Sequence, residues 1–500
     1  MRSIIRNGRV LDAMSLTLID ADVLIEGDTI AAVGPRLEAP PDAELIDASA
    51  QIVIPGLVNC HTHAHNNVLR GVADNWTLED ARNFGPAVFA LRTPEEHYVS
   101  AAIGAVEMLK TGCTAAYDMF TAMPMLSNEG VEAVIRAYED VGMRAVLAPQ
   151  GGDLVFYRAV PGLLDLLPDD LRKTVDSLRP APTQGMLEVF GNAIRRWNGA
   201  AGGRIHIAAA PVVPGECSDA FLDGCVGFVR EFGVGVQTHL AETKMQAMYG
   251  IERWGRPLVR HLADIGMVGP RFVGGHGVWL TDDEMAILGD TGSSVVHNPA
   301  SNLKLGSGIA PVRELLDHGV TVGLGTDGSL SSNQNMFEAM RFAGLVNKVR
   351  FAHDPDRWIE ARSVWRMATT AAARVLGLGD QIGAIEPGYK ADLVLLRADS
   401  TFLCPLNDIV NALVYSETGA DVDTVLVGGR RVVEGGRVLG VDEKDLCRRA
   451  QVAAERVRGY NAEAFALSER LLPFVRAACR TCAAAPFPIN RYATPTSDGP

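Results

Sequence analysis

No stretch of the 500 residues holds an uninterrupted apolar run long enough for a membrane helix, so a bilayer-spanning architecture is not expected. The first apolar pair, Ile4-Ile5, is broken at once by Arg6, and the amino terminus therefore lacks the hydrophobic core of a signal peptide. Lysine and arginine form no block, and 46 of them face 60 aspartates and glutamates. A net charge of -14 so distributed argues against nucleic acid or an anionic membrane surface as the main partner. A cysteine framework is missing too. The thiols are scattered, only Cys479 and Cys482 make a C-x-x-C, and no second pair completes a zinc knuckle, so all eight read as reduced thiols, mostly core filler. What remains is a soluble, cytoplasmic chain, 47% hydrophobic, long enough for two or three domains or one large α/β unit with satellites. Its default partner is a small molecule.

Alternation of apolar and polar residues between turn signals marks residues 1 to about 50 as short antiparallel strands, with Asn7-Gly8 and Gly27-Asp28 as turns. The same texture returns in Ala391 to Leu396 and Thr424 to Val433, so one small β domain is expected from both chain ends. Between them, short apolar runs alternate with helical periodicity. Eight candidate strands are Gln51 to Leu57, Thr114 to Asp118, Met143 to Ala148, Arg204 to Ala210, Val234 to Leu240, Phe272 to His276, Ser293 to His297 and Val320 to Asp327. Helix starts fall between them: Thr93-Pro94-Glu95-Glu96 and Thr281-Asp282-Asp283-Glu284 carry capping boxes, and Ser218-Asp219 opens another helix. The alternation predicts a parallel (β/α)8 TIM barrel, whose chemistry sits at the carboxyl ends of its strands. A long insertion, about Pro149 to Pro182, interrupts it after the third strand, and Asp442 to Ala485 reads as helix before a Pro/Ser/Thr-containing tail, expected to be mobile, to Pro500.

His61-Thr62-His63 is the motif around which these strands acquire a function. Residues two apart on a strand point to one side, so both imidazoles aim into one space, but a lone His-x-His is a weak signal. The signal strengthens because His239, His276, His297 and Asp327 also end strands, the fifth to the eighth. Three imidazoles and a carboxylate suit Zn2+, or Fe2+ or another divalent ion, with one position left for water whose pKa the cation lowers. Glu242, three residues beyond His239, is placed to reach over the metal as general acid and base. His276 is placed to hydrogen-bond the attacking hydroxide or polarise the substrate, and Asp327 to ligate and accept a proton. His65, His97, His206, His261, His318 and His353 fall off this rim and read as structural or exposed. Gly323-Leu324-Gly325-Thr326-Asp327-Gly328 matches G-x-G-x-x-G, but it closes the barrel series and lacks a ribose-binding βαβ context, so a nucleotide loop is rejected.

Pro55-Gly56-Leu57-Val58-Asn59-Cys60-His61-Thr62-His63, Leu69-Arg70-Gly71, His239 with Glu242, His276, His297-Asn298-Pro299-Ala300-Ser301-Asn302-Leu303-Lys304-Leu305, Gly325-Thr326-Asp327-Gly328 and Glu386-Pro387-Gly388 together resemble the amidohydrolase superfamily. Within it, the text is similar to the branch of s-triazine hydrolases and S-adenosylhomocysteine/methylthioadenosine deaminases. The resemblance spans residues 1 to about 440. It implies a distorted (β/α)8 barrel beside a composite β-sandwich; the expected boundaries are 1–55, 56–384 and 385–440, with 441–500 a helical C-terminal extension and tail beyond the resemblance. It implies His61, His63, His239 and Asp327 on one divalent metal ion, Glu242 as proton shuttle, His276 orienting the attacking hydroxide, and His297 at the substrate. The fourth strand, Arg204 to Ala210, has no lysine for the carbamate bridge of two-metal members. A homodimer or higher homo-oligomer is implied by the same resemblance.

Val212 stands where deaminases of this branch carry a histidine, and the loop Ala64 to Phe89 reads differently from theirs, so adenosine derivatives are not the expected substrate. The expected reaction is hydrolytic deamination of an amino-substituted heteroaromatic ring: a triazine, pterin, purine or pyrimidine. The alternatives are an amide, urea, carbamate or thiocarbamate, hydrolytic dechlorination, and a non-catalytic barrel used as a binding module.

Overall fold

Residues 2–492 are described by the structure, a computed structural model. The parallel strands are β1 (Leu57–Thr62), β2 (Cys113–Phe120), β3 (Arg144–Gly151), β4 (Ile205–Ile207), β5 (Val236–Leu240), β6 (Phe272–His276), β7 (Ser294–His297) and β8 (Thr321–Leu324). They form two parallel sheets, β4-β3-β2-β1 and β5-β6-β7-β8. Single bridges join the sheets, Ala209 to Val236 and Thr62 to Asp327, the second with the Asp327 N–H donating to the His61 carbonyl at 2.9 Å. Near-continuous apolar strands are what parallel sheets covered on both faces require. Val58, Cys60, Tyr117, Val146, Val273 and Val296, drawn from β1, β2, β3, β6 and β7, lie in a single buried cluster.

The expected first strand divides in two. Gln51–Pro55 pairs with Leu393–Arg397 and Arg9–Leu11 in a different sheet, and only from Leu57 does the chain join the parallel strands. The break has a local cause: Pro55 has no N–H to donate, and a side chain on Gly56 would lie 2.1 Å from Thr114 Oγ1. That other sheet has seven strands and draws on both ends of the chain, in the order Arg437–Val438, Arg430–Glu434, Val422–Val427, Leu393–Arg397, Gln51–Pro55, Arg9–Leu11, Leu18–Asp20. A four-stranded sheet, Thr29–Gly34, Asp22–Glu26, Arg2–Arg6, Glu44–Asp47, shares a buried cluster with it through Ile5, Val23, Ile25, Val53, Leu395 and Leu426. Arg144 at the start of β3 is clamped by both Asp392 oxygens, at 2.9 and 3.1 Å, which fixes the parallel strands to the seven-stranded sheet.

Capping chemistry starts the helices where the sequence placed it: Thr93 with Glu96 and Thr281 with Glu284 form capping boxes, and the Ser218 hydroxyl accepts from the Phe221 N–H. Thr77 and Asp80 form another, opening α1 (Leu78–Phe89) in the loop that follows His63. Thr243 caps α2 (Lys244–Trp254), directly after Glu242. The run Asp442 to Ala485 is two helices, α3 (Glu443–Tyr460) and α4 (Ala462–Ala484), parted at Asn461. The insertion after β3 carries Leu163–Leu166 and Asp169–Ser177 as short helices, and its Leu163, Leu171 and Val175 pack against Leu471 and Val475 of α4. The expected mobile tail lies, from residue 493 onward, outside the described residues. Among those described, no helix is long and apolar enough to cross a membrane.

Candidate metal centre

His61 and His63 leave β1 on one side, their ring centroids 4.8 Å apart, as the strand period demands. β5 delivers His239 and β6 delivers His276, whose rings lie 5.0 and 5.1 Å from that of His61. Asp327 follows β8, with Oδ1 at 3.1 Å from His63 Nε2 and 3.6 Å from His61 Nε2. One ligand atom each from His61, His63 and His239, and likewise from His61, His276 and Asp327, lies within 4.8 Å of the others, and all five residues are buried. Three non-glycine residues take left-handed backbone here: Ala241 (φ 45°), His276 (φ 69°) and Asp327 (φ 61°). Such conformations cost about 1–3 kcal/mol each and persist where surrounding structure over-determines them.

The hydrogen bonds behind the rings settle the tautomers. His63 Nδ1 is 2.7 Å from the Met119 carbonyl and His239 Nδ1 is 2.6 Å from the Val212 carbonyl. Carbonyls only accept, so both Nδ1 atoms carry the proton and both Nε2 atoms present lone pairs. His61 Nδ1 faces Gln237 Oε1 at 2.7 Å, and since the Gln237 amide nitrogen donates to the Cys60 carbonyl, that oxygen must be the acceptor. His276 Nδ1 reaches Asn302 Oδ1 at 2.8 Å. Asp327 is held by hydroxyl donors on its other oxygen, Ser301 at 2.6 Å and Ser331 at 2.9 Å.

In the neutral rings, lone pairs therefore converge on one space. His63 Nε2 and His239 Nε2 are 3.2 Å apart, and His61 Nε2 and His276 Nε2 are buried without a hydrogen-bond partner among the described residues. Acceptors so arranged repel unless a cation lies among them, and neutral imidazoles with one carboxylate are the donor set of Zn2+ and similar divalent ions. Burial keeps His61 and His239 below the usual imidazole range, and it pulls His276 down to about 4. His63 is the exception: burial lowers it, Asp327 raises it, and the carboxylate prevails. Asp327, which burial alone would raise, is kept well below the usual carboxylate range by His61 and His63. A cation bound here competes with the proton on His63.

Glu242 sits beside this cluster, 1% exposed, with Oε1 at 3.6 Å from His276 Nδ1 and neither oxygen hydrogen-bonded among the described residues. Burial, then the charges of Asp327 and Glu79, push its carboxyl well above the usual range. His297 is buried as well, with both ring nitrogens unpartnered among the described residues, and burial takes it down to about 3. It is not among the converging ligand atoms. His65, placed off the rim from sequence, is buried with its ring 5.2 Å from His63, and its Nδ1 accepts from the Thr121 N–H.

Gln237 and Asn302, which do not end strands, hold the His61 and His276 rings by their Nδ1 atoms. Gln237 was detectable, since it lies two residues before His239 on the same strand face. Val212, singled out from sequence as a substitution for histidine, contributes its carbonyl to His239 and its side chain to a cavity of about 300 Å3. Thr121, Gln150, Met123, Tyr157 and Glu216 also line that cavity. The Gln150 side-chain oxygen is buried without a partner among the described residues, and Arg82 of α1 closes on Glu216 at the edge.

The model of the amidohydrolase family matches residues 52–432. A 5-methylthioadenosine/S-adenosylhomocysteine deaminase of Carboxydothermus hydrogenoformans is 35% identical over 448 residues, covering 89% of this chain and 95% of the relative. Among solved structures, a triazine hydrolase from Arthrobacter aurescens superposes with a TM-score of 0.81 at 25% identity, over 91% of this chain and 99% of its own. An adenosine deaminase from Xanthomonas campestris with bound zinc gives 0.80 at 26% identity, over 91% and 98%.

Proposed function

The chain belongs to the amidohydrolase family and is a hydrolase of carbon–nitrogen bonds other than peptide bonds, and from that premise we propose that it deaminates an amino-substituted heteroaromatic small molecule at one divalent metal ion. The observation that carries the reading is the convergence of imidazole lone pairs and Asp327 beside a buried carboxyl that makes no hydrogen bond among the described residues. His61, His63, His239 and Asp327 hold the ion, Zn2+ in the first instance. When bound, it supplies Lewis acidity and makes water nucleophilic at neutral pH.

The protein's own groups then manage protons. His276 is neutral at pH 7, and with its Nδ1–H engaged by Asn302 its Nε2 accepts a hydrogen bond from the attacking water and aligns it. As a carboxylate, Glu242 takes a proton from that water; burial favours the carboxylic acid so formed, which then delivers the proton to the leaving nitrogen. An amine leaves readily only once protonated, and this favours C–N cleavage over loss of chloride, which needs no proton. Desolvation strengthens both steps, since the site lies below the surface. His297 is assigned to the substrate. The 300 Å3 cavity beside Val212, lined by Met123, Tyr157 and Met186, suits an apolar substituent on the ring.

In the proposed architecture the two parallel sheets close as a distorted (β/α)8 barrel over residues 56–384. Residues 1–55 and 385–440 make a composite β-sandwich, and the described part of the 441–500 extension carries α3 and α4. The single bridges at Thr62–Asp327 and Ala209–Val236 support closure. Ammonia release measured across aminotriazines, pterins, purines and pyrimidines, beside aryl ureas, carbamates and chlorotriazines, tests the function. Ammonia from a ring amine is expected. Turnover confined to ureas and carbamates, or chloride release without ammonia, would overturn it.

A further inference from the structure

Residues 461–492 lie beyond the span matched by the amidohydrolase family, yet they reach the loop that carries Glu242 and the one that follows His276. α4 lies along α1. Asn83 Nδ2 donates to the Ser468 carbonyl at 2.9 Å, the Ser468 hydroxyl returns a bond to the Asn83 carbonyl at 2.8 Å, and Asn461 Nδ2 donates to the Ala87 carbonyl at 2.9 Å. Arg476 pairs at 2.9 Å with Asp80, whose carboxylate is 1% exposed. The neighbouring Glu79 then accepts a 2.7 Å hydrogen bond from Thr243 Oγ1, one residue past Glu242.

A second tie runs to the next residue. Lys244 Nζ donates to the carbonyls of Ala483 and Ala485, at 2.9 and 2.5 Å, which places a cation on the unsatisfied carbonyls and negative dipole end of α4. Met245 packs in one cluster with Leu471, Val475 and Cys482. A third tie comes from the end of the arm. Arg491, buried, donates to the carbonyls of Val278 and Leu280 at 3.1 and 2.8 Å, and Tyr492 meets Trp279 edge-to-face with centroids 4.8 Å apart. Val278 to Leu280 begins two residues after His276. It is bonded in turn to the Glu242 loop, the Trp279 N–H donating to the Ala241 carbonyl at 2.8 Å.

We propose that the C-terminal arm, Asn461 to Tyr492, is a positioning element for catalysis: it clasps residues 241–245 and 278–280 and so holds the Glu242 carboxyl and the His276 ring over the metal ligands. Ala241 and His276 both occupy left-handed backbone, which relaxes unless something outside those loops restrains it. The arm supplies that restraint from outside the strands. The inference rests on the proton-transfer role given above to Glu242.

Two substitutions in the metal-loaded, full-length protein test it: Arg476→Ala, whose side chain is 41% exposed, and Lys244→Gln. Hydrogen–deuterium exchange over residues 241–247 should rise in both. Metal content should stay at the wild-type level, and kcat for ammonia release should fall about 10- to 100-fold with KM changed little, as small misplacements of reacting groups cost. Arg476→Lys should recover most of the kcat. Arg470→Ala, on the same helix but paired with exposed Asp170, should behave as wild type. Unchanged exchange in residues 241–247 in both variants overturns the inference, as does unchanged kcat alongside raised exchange. Loss of activity in Arg470→Ala equal to that in Arg476→Ala overturns it too, because a general stability effect would then suffice. The exchange readout needs no substrate, so failure of the clasp is distinguishable from failure of the deaminase reading, which Glu242→Gln addresses by itself.

Discussion

Replacing Gln237 with leucine removes an acceptor that His61 cannot replace. The Gln237 side chain is fully buried, its oxygen 2.7 Å from His61 Nδ1 and its nitrogen 3.0 Å from the Cys60 carbonyl. Leucine has about the same bulk, so the change leaves a buried N–H and a buried C=O unpaired rather than a cavity. Each unpaired group costs about 1–3 kcal/mol, and the imidazole loses what fixes its tautomer and its plane. Loss of such an outer hydrogen bond lowers metal affinity by about 10- to 100-fold, roughly 1.4–2.7 kcal/mol of binding free energy. Gln237→Glu restores an acceptor with a full negative charge and should bind metal at least as tightly as wild type. Zinc affinity of the chelator-stripped protein, measured by competition with a chromophoric chelator, reads both variants, with circular dichroism confirming the fold. If Gln237→Leu folds and binds zinc as tightly as wild type, His61 is not a ligand held by Gln237, and the tautomer argument for the whole cluster fails with it.

Glu242→Gln should keep its metal and lose about 10²- to 10⁴-fold in kcat, the usual weight of a general acid and base; steady-state ammonia release decides, and unchanged turnover removes the shuttle. Arg144→Leu should cost about 3–5 kcal/mol in urea unfolding, because the buried Asp392 side chain loses both guanidinium bonds and keeps, among the described residues, the Gly428 N–H on its Oδ1. Acid stability carries a signature of His97, whose pKa burial and then Arg92 lower to about 3. The unfolded chain binds a proton there below about pH 6.5 and the folded chain does not, so stability falls as pH drops from 6.5 towards 3. At pH 4.5 the loss from this group reaches at most about 2.7 kcal/mol, and His97→Gln should flatten the melting-temperature profile between pH 6.5 and 4.5 by a corresponding amount.

The histidines were legible because the signal is sparse and periodic: His61 and His63 share a strand face, and His239, His276, His297 and Asp327 each end an apolar run. What holds those histidines was mostly hidden. Met119 and Val212 act through backbone carbonyls, which any residue offers, so no side chain betrays them. This also explains how valine stands at position 212 without disturbing His239, while changing the wall of the cavity. The split at Gly56 escaped because a continuous apolar run gives no sign of which of two sheets each half joins; the close approach of Thr114 is a tertiary fact. The arm was read as helix, but an amphipathic helix does not name its partner. Arg476, Lys244 and Arg491 find theirs only when the parallel strands bring α1 and the loops after β5 and β6 together.

The most direct test of a single-metal C–N hydrolase is a metal titration of chelator-stripped protein followed by ammonia release from the best ring amine of the screen. Activity should rise linearly with added zinc and level off at one equivalent per chain. Release that is indifferent to metal, or that levels off only at two equivalents, contradicts the site built on His61, His63, His239 and Asp327.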